Sequence, residues 1–218
     1  MKKAFFFDMD GVLFDSMPLH AIAWERVMAS HGLPFTAHDT YLNEGRTGES
    51  VIDEAFMTTQ HRHATPEEVT QIYAEKTRLF HTLGDAQPIQ GVAEVLRYVQ
   101  AQGCCIWIVT GSAQQSLFDK LDTCFPGIFV RERMITAWDV VHGKPHPEPY
   151  LKAWERSGLP KDECAVVENA PMGVESGKTA GLTVYAVNTG ILTRDDLAQA
   201  GADRVFDDMS GLLQFLEQ

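Results

Sequence analysis

Cysteine is sparse in this 218-residue chain, and the four present, Cys104, Cys105, Cys124 and Cys164, form no CxxC pair. Two of them sit side by side in an apolar run, where they read as small core residues. A chain of this length buries on the order of 70% of its unfolded surface, so it needs no disulfide staples. A reducing cytoplasm is the expected setting. No stretch of about eighteen apolar residues occurs, which excludes a transmembrane helix. The opening Met1-Lys2-Lys3-Ala4-Phe5-Phe6-Phe7 is broken by Asp8 and Asp10 and lacks a small-residue cleavage site, so it reads as a strand and not as a signal peptide. Basic clusters are missing too. With a formal net charge of −12, counterion release cannot drive nucleic-acid binding.

What the chain does contain is ordinary globular composition, 44% hydrophobic and 22% charged. From residue 88 onward, short apolar runs alternate with segments of helical period, the mark of a parallel sheet with crossover helices. The spacing predicts strands at Ala4–Phe7, Cys104–Val109, Met134–Thr136, Ala165–Val167, Val184–Val187 and Arg204–Phe206. Helices are predicted at Val92–Ala101, Ala113–Thr123, Pro147–Ser157, Pro171–Ala180, Arg194–Ala200 and Ser210–Glu217. The class is α/β, a Rossmann-like doubly wound parallel sheet with ligands beyond the carboxyl ends of its strands. Residues 17–87 break the alternation, with helical patterns at Pro18–Ser30, Ser50–Thr59 and Pro66–Leu83 and no convincing strand. The expected organisation is therefore a core domain of residues 1–16 and 88–218 with a helical cap domain of residues 17–87 inserted after the first strand. An insertion leaving beside that strand's carboxyl end is placed to act as a lid.

The strongest chemical signal is Phe7-Asp8-Met9-Asp10-Gly11, two carboxylates spaced by one residue at the end of a buried strand. Like charges this close favour protonation of one partner or a divalent cation between them. Gly11 permits the turn that brings backbone near a ligand. The bland alternative is a pair of loop acids capping the next helix.

Here the sequence resembles the haloacid dehalogenase superfamily of phosphotransferases, whose first motif is hydrophobic-hydrophobic-D-x-D-G. Three further motifs follow in the family's order. In Val109-Thr110-Gly111-Ser112 a hydroxyl and backbone N–H groups make a phosphate cradle, although Ser112 also fits as the N-cap of the next helix. In Gly143-Lys144-Pro145, Lys144 would balance Asp8 and the phosphoryl oxygens. In Glu168-Asn169, the family usually has two acids, and here one is an amide, which removes one unit of charge from the metal shell.

The resemblance implies a magnesium-dependent phosphohydrolase with Asp8 as nucleophile, Asp10 as general acid and base, and Thr110 and Lys144 in catalysis. Asp8, Asp10, Asn169, Glu168 and Glu44 would be the acids and amide around Mg2+, and Gly111 and Ser112 would bind substrate. The insertion resembles the small cap of the β-phosphoglucomutase and phosphoglycolate phosphatase branch, which implies a monomer.

Cap residues would choose the substrate. His20 either donates to a leaving oxygen or faces water at a helix start. Arg46, in Glu44-Gly45-Arg46-Thr47-Gly48, matches the arginine with which β-phosphoglucomutases grip a distal phosphate. Glu44 fits that role poorly, since a carboxylate there repels phosphate unless it serves the metal. Extra charge at Glu44 and lost charge at Asn169 then compensate, a combination that resembles the superfamily's inorganic pyrophosphatases. Lys76 is either a further cation or an exposed helix lysine. The expected substrate is inorganic pyrophosphate. The alternatives are β-glucose 1-phosphate isomerisation by a mutase and hydrolysis of a sugar phosphate. No nucleic-acid or membrane partner is expected.

Overall fold

The computed structural model describes residues 2–112 and 117–218. Its centre is the run Ala4–Phe7 (β1), buried on both faces, as a near-continuous apolar strand in a parallel sheet must be. Phe5 and Phe7 enter one apolar cluster with Val95, Leu96 and Ile108, while Ala4 and Phe6 enter the other with Trp107, Val166 and Val184. Alternation along the strand thus feeds both layers.

The remaining strands are Cys105–Val109 (β2), Met134–Ile135 (β3), Cys164–Glu168 (β4), Thr183–Val187 (β5) and Arg204–Phe206 (β6), all parallel, in the order β3-β2-β1-β4-β5-β6. The direction of winding reverses at β1 and β4, so a crevice opens beyond their carboxyl ends. Asp8 follows β1, Thr110 follows β2, and Glu168 closes β4 with Asn169 next to it. The register Phe7↔Ile108 and Phe7↔Val167 holds the three strand ends level, which brings the three motifs together.

Of the helices Met17–Ser30 (α1), Ala37–Leu42 (α2), Gly48–Gln60 (α3) and Pro66–Thr82 (α4), α1, α3 and α4 pack around an apolar cluster of their own, including Trp24, Met28, Leu33, Ile52, Phe56 and Ile72, whereas Tyr41 of α2 packs with Met17, Ala21 and Leu192. The sequence spacing did not predict α2. It has six residues, and a reciprocal cap between Thr36 and Asp39 defines it more than any apolar period does. The chain leaves and re-enters the sheet layer side by side: Phe14 bridges Pro88, and Asp15 N–H donates to the Gln87 carbonyl at 2.8 Å.

Among the described residues six further helices flank the sheet: Val92–Ala101 (α5), Leu117–Cys124 (α6), Glu148–Ser157 (α7), Pro171–Thr179 (α8), Arg194–Gln199 (α9) and Met209–Leu216 (α10). The predicted start of α6 at Ala113 lies outside the described residues. Thr136, predicted in a strand, instead caps a short 3-10 turn over Ala137–Asp139, its hydroxyl accepting from Trp138 N–H at 3.3 Å. Among the described residues no helix is long and apolar enough to cross a membrane.

Candidate active site

Lys144 lies at the base of the crevice, buried to 3% exposure. Its ammonium contacts Asp8 Oδ1, donates to Glu168 Oε1 at 2.6 Å and donates to the Val109 carbonyl at 3.0 Å. Asp8 and Glu168 hold the ammonium charged, raising its pKa against the opposing effect of burial. The Asp8 pKa is raised too, which for a carboxyl group favours the neutral form. Burial raises its pKa, and the charges of Glu168 and Asp10 add to this against the pull of Lys144. Glu168 has little freedom: Oε1 also accepts from the Tyr150 hydroxyl at 2.7 Å, and Oε2 accepts the Asn169 N–H at 3.0 Å. Its carboxylate is committed to Lys144 and the β4 terminus.

Asp10 has different surroundings. Ser16 Oγ donates to its Oδ1 at 2.5 Å, and His20 Nε2 faces the same oxygen at 3.5 Å, longer than a full hydrogen bond. Lys76 Nζ lies 2.7 Å from His20 Nδ1. An ammonium can only donate, so Nδ1 accepts and the ring proton sits on Nε2, toward Asp10. Burial alone would raise the Asp10 pKa, but His20, Ser16 and Lys76 outweigh it and bring it to about 2. Burial pushes Lys76 down to about 8 and, with the Lys76 charge, lowers His20 as well. Far from being an exposed helix lysine, Lys76 is 6% exposed, with its ammonium 5.0 Å from the Trp24 ring centre and 5.2 Å from that of Phe80. His20 stacks on Phe80 with ring centres 4.2 Å apart.

Glu44 descends from the segment after α2 into the same crevice. Asn169 Nδ2 donates to its two carboxylate oxygens at 3.1 and 3.0 Å. Burial raises the Glu44 pKa well above the usual carboxylate range, and Asp8 reinforces the shift. The approach is close because Gly11, at φ +72°, presents no side chain: a Cβ there would collide with Asn169 and Glu44. Gly111 serves the same end, since a Cβ on it would sit 3.0 Å from the Gly45 carbonyl. Thr110 is buried, and its hydroxyl accepts the Ser112 N–H at 3.0 Å.

Arg46 lines the crevice as expected, with a partner of its own. Its guanidinium pairs with Glu54 of α3, while its Nε is buried without a partner. A cavity of about 160 Å3 joins these groups, lined among others by Asp8, Asp10, His20, Glu44, Arg46, Lys76, Gly111 and Ser112. Thr110, Lys144, Glu168 and Asn169 lie behind it. Sequence reasoning gave no role to Ser16, though it stands in the first motif, or to Lys120, which also lines the cavity and looks in the sequence like any lysine on an amphipathic helix.

A divalent cation suits this donor set. The carboxyl groups of Asp8, Asp10, Glu44 and Glu168 converge on one crevice, and burial together with their mutual repulsion pushes Asp8 and Glu44 toward the neutral form, a strain that a divalent cation would relieve. Asn169 Oδ1 is buried with no hydrogen-bond partner. Among the described residues no three His, Cys, Asp or Glu side chains form a metal cluster by themselves. The fitting set is instead mixed: the Asp8 carboxylate, the Asp10 main-chain carbonyl and the Asn169 amide oxygen, hard oxygens of the kind magnesium takes.

A parallel sheet whose central strand ends in an aspartate pair beside a buried lysine defines an α/β phosphotransfer fold. Residues 2–181 match the haloacid dehalogenase-like hydrolase family, and the chain belongs to it. It is an enzyme of that type. It is 30% identical over 204 residues to the phosphorylated carbohydrates phosphatase of Thermotoga maritima, with 92% of each chain covered. It is 33% identical over 192 residues to hexitol phosphatase A of Escherichia coli, covering 85% of this chain and 83% of that one. A solved structure from Bacteroides vulgatus, described as a candidate beta-phosphoglucomutase, superposes with a TM-score of 0.95 at 42% identity, covering 99% of this chain and 88% of that one.

Proposed function

We propose that this enzyme is a magnesium-dependent phosphohydrolase that cleaves inorganic pyrophosphate through a phosphoryl group carried on Asp8, with residues 17–87 acting as a cap domain over the core. The relatives above, named for sugar and hexitol phosphates and for a phosphoglucomutase, support a phosphatase or phosphomutase acting on small phosphorylated compounds. None of them is named for pyrophosphate. The observation that carries the narrower reading is Glu44. Its carboxylate occupies the crevice against Asn169, where a second carboxylate is usual in the family, and it narrows a cavity already below the roughly 300–1,000 Å3 typical of drug-sized ligands. A sugar ring would have to compete with that carboxylate for the space.

In the first step the Asp8 carboxylate attacks phosphorus in line, and the bond to the bridging oxygen breaks with its electron pair leaving on the departing phosphate. Lys144 holds Asp8 in place and faces the charge that develops on the phosphoryl oxygens, while Glu168 and Tyr150 fix Lys144. Bound magnesium, held by Asp8, the Asp10 carbonyl and Asn169 with Glu44 nearby, would supply charge neutralisation at the phosphoryl group. The arrival of a phosphate anion beside Asp10 raises the pKa that His20 and Lys76 hold down, so Asp10 can carry a proton to the leaving oxygen. Once that anion departs, Asp10 returns to its ionised form and takes a proton from the water that attacks the aspartyl phosphate.

The test is a phosphate-release panel with magnesium, containing pyrophosphate, hexose and hexitol phosphates and β-glucose 1-phosphate, with isomerisation of the last followed separately. Highest kcat/KM for pyrophosphate supports the proposal. Faster release from sugar phosphates, or efficient isomerisation, overturns it in favour of the sugar-phosphate reading that the relatives' names support.

A further inference from the structure

We infer that Lys120, on α6, is a specificity-determining residue that selects substrates whose leaving group carries its own anionic charge; the inference rests on the phosphotransfer reading of the site. The other cations around the cavity are already engaged. Lys144 serves Asp8 and Glu168, Arg46 serves Glu54, and Lys76 donates to His20. Lys120 lines the same cavity, and among the described residues its ammonium makes its contact with the face of Phe14, 4.3 Å from the ring centre. A ring face holds an ammonium in position without neutralising it, so the full positive charge remains for an incoming anion.

The platform is firm. Phe14 is 1% exposed and is bridged to both Asp10 and Pro88, at the crossing where the helical segment leaves and returns. The charge also reaches the reacting end of the cavity, since Lys120 contributes, after burial and Lys76, to lowering the His20 pKa. As the Asp8 oxygen–phosphorus bond forms, the bridging oxygen departs with the electron pair and takes the proton from Asp10. A leaving phosphate still bears the charge of its own non-bridging oxygens, and among the described residues lining the cavity Lys120 is the cation without an anionic partner that meets that charge. Since Lys120 belongs to the sheet layer and not to α1–α4, it offers that charge whatever the position of the helical segment.

The assignment predicts a selective loss of affinity. Calorimetry with magnesium on the wild type, Lys120→Met and Lys120→Arg would compare imidodiphosphate, which carries a second anionic group, with orthophosphate, which does not. Lys120→Met keeps the apolar stem over Phe14 and should weaken imidodiphosphate binding by about tenfold or more, the scale of one lost charge-assisted contact, while leaving orthophosphate binding nearly unchanged. Lys120→Arg should retain most of the imidodiphosphate affinity. Equal losses for both anions, or none for imidodiphosphate, would overturn the role of Lys120. A wild type that bound neither anion would instead overturn the phosphotransfer reading beneath it.

Discussion

Asn169, at the end of β4, donates from one amide nitrogen to both carboxylate oxygens of Glu44, a residue 125 positions earlier that arrives from the helical segment. A carboxylate from the helical segment thus stands against an amide at the end of the sheet strand. If the two residues share one task, supplying negative charge beside magnesium, their substitutions are coupled. Glu44→Ala should raise the magnesium concentration needed for half-maximal activity, and adding Asn169→Asp should restore part of it. The interaction energy of the double-mutant cycle should be about 0.5–3 kcal/mol. Strict additivity in a magnesium titration would separate the two residues.

Lys144 is the counter-charge for two carboxylates that are buried with it. Lys144→Met would leave Asp8 and Glu168 unbalanced, and removing one partner of a buried pair typically costs 3–5 kcal/mol, so urea unfolding at neutral pH without magnesium should show a loss of about that size. Turnover should fall with it, by about 3 kcal/mol or more of transition-state stabilisation, as for other electrostatic donors. Unchanged stability and unchanged kcat/KM would return Lys144 to the role of an incidental lysine.

Lys76 carries a testable pH dependence. Its folded pKa, about 8, lies below the ordinary value of 10.5 because the ammonium is buried. The charged form that orients His20 is present below pH 8 and lost above it, so kcat should decline through that pH and Lys76→Met should remove the limb while slowing the reaction. Stability moves in the opposite sense. The penalty of burying the charge is full below pH 8 and is relieved as pH rises from 8 toward 10.5, so wild-type unfolding free energy should gain on that of Lys76→Met across this window. The gain is bounded at about 3 kcal/mol by the size of the shift. An alkaline limb that persists in Lys76→Met would assign it to another group.

Much of this was legible in the sequence, for identifiable reasons. The run Ala4–Phe7 is apolar without alternation, so it read as a buried strand with the carboxylates that follow at its carboxyl end. The motifs around Thr110 and Glu168 then fell at neighbouring strand ends because the sheet order places β2 and β4 on either side of β1, while Lys144 reaches the same point from the loop before α7. Side-chain environment was less legible. Lys76 and Lys120 look like surface lysines on amphipathic helices, and only the way α4 and α6 face the crevice distinguishes them. Glu168 read as a metal ligand by its place in the motif, yet Lys144, Tyr150 and the Asn169 N–H take its oxygens. Arg46 read as a phosphate grip, and its pairing with Glu54 depends on how α3 turns after Thr47. The short α2 was signalled by Thr36 and Asp39 three residues apart, a capping pattern without the apolar period that identifies longer helices.

The most direct measurement is to quench the magnesium enzyme during pyrophosphate turnover and map the attached phosphoryl group by mass spectrometry, beside Asp8→Asn treated in the same way. A phosphoryl group on Asp8, labile to hydroxylamine, is the predicted result, with Asp8→Asn folded, unmodified and inactive. A phosphoryl group on another residue, or pyrophosphate turnover near the wild-type rate by Asp8→Asn, would contradict it.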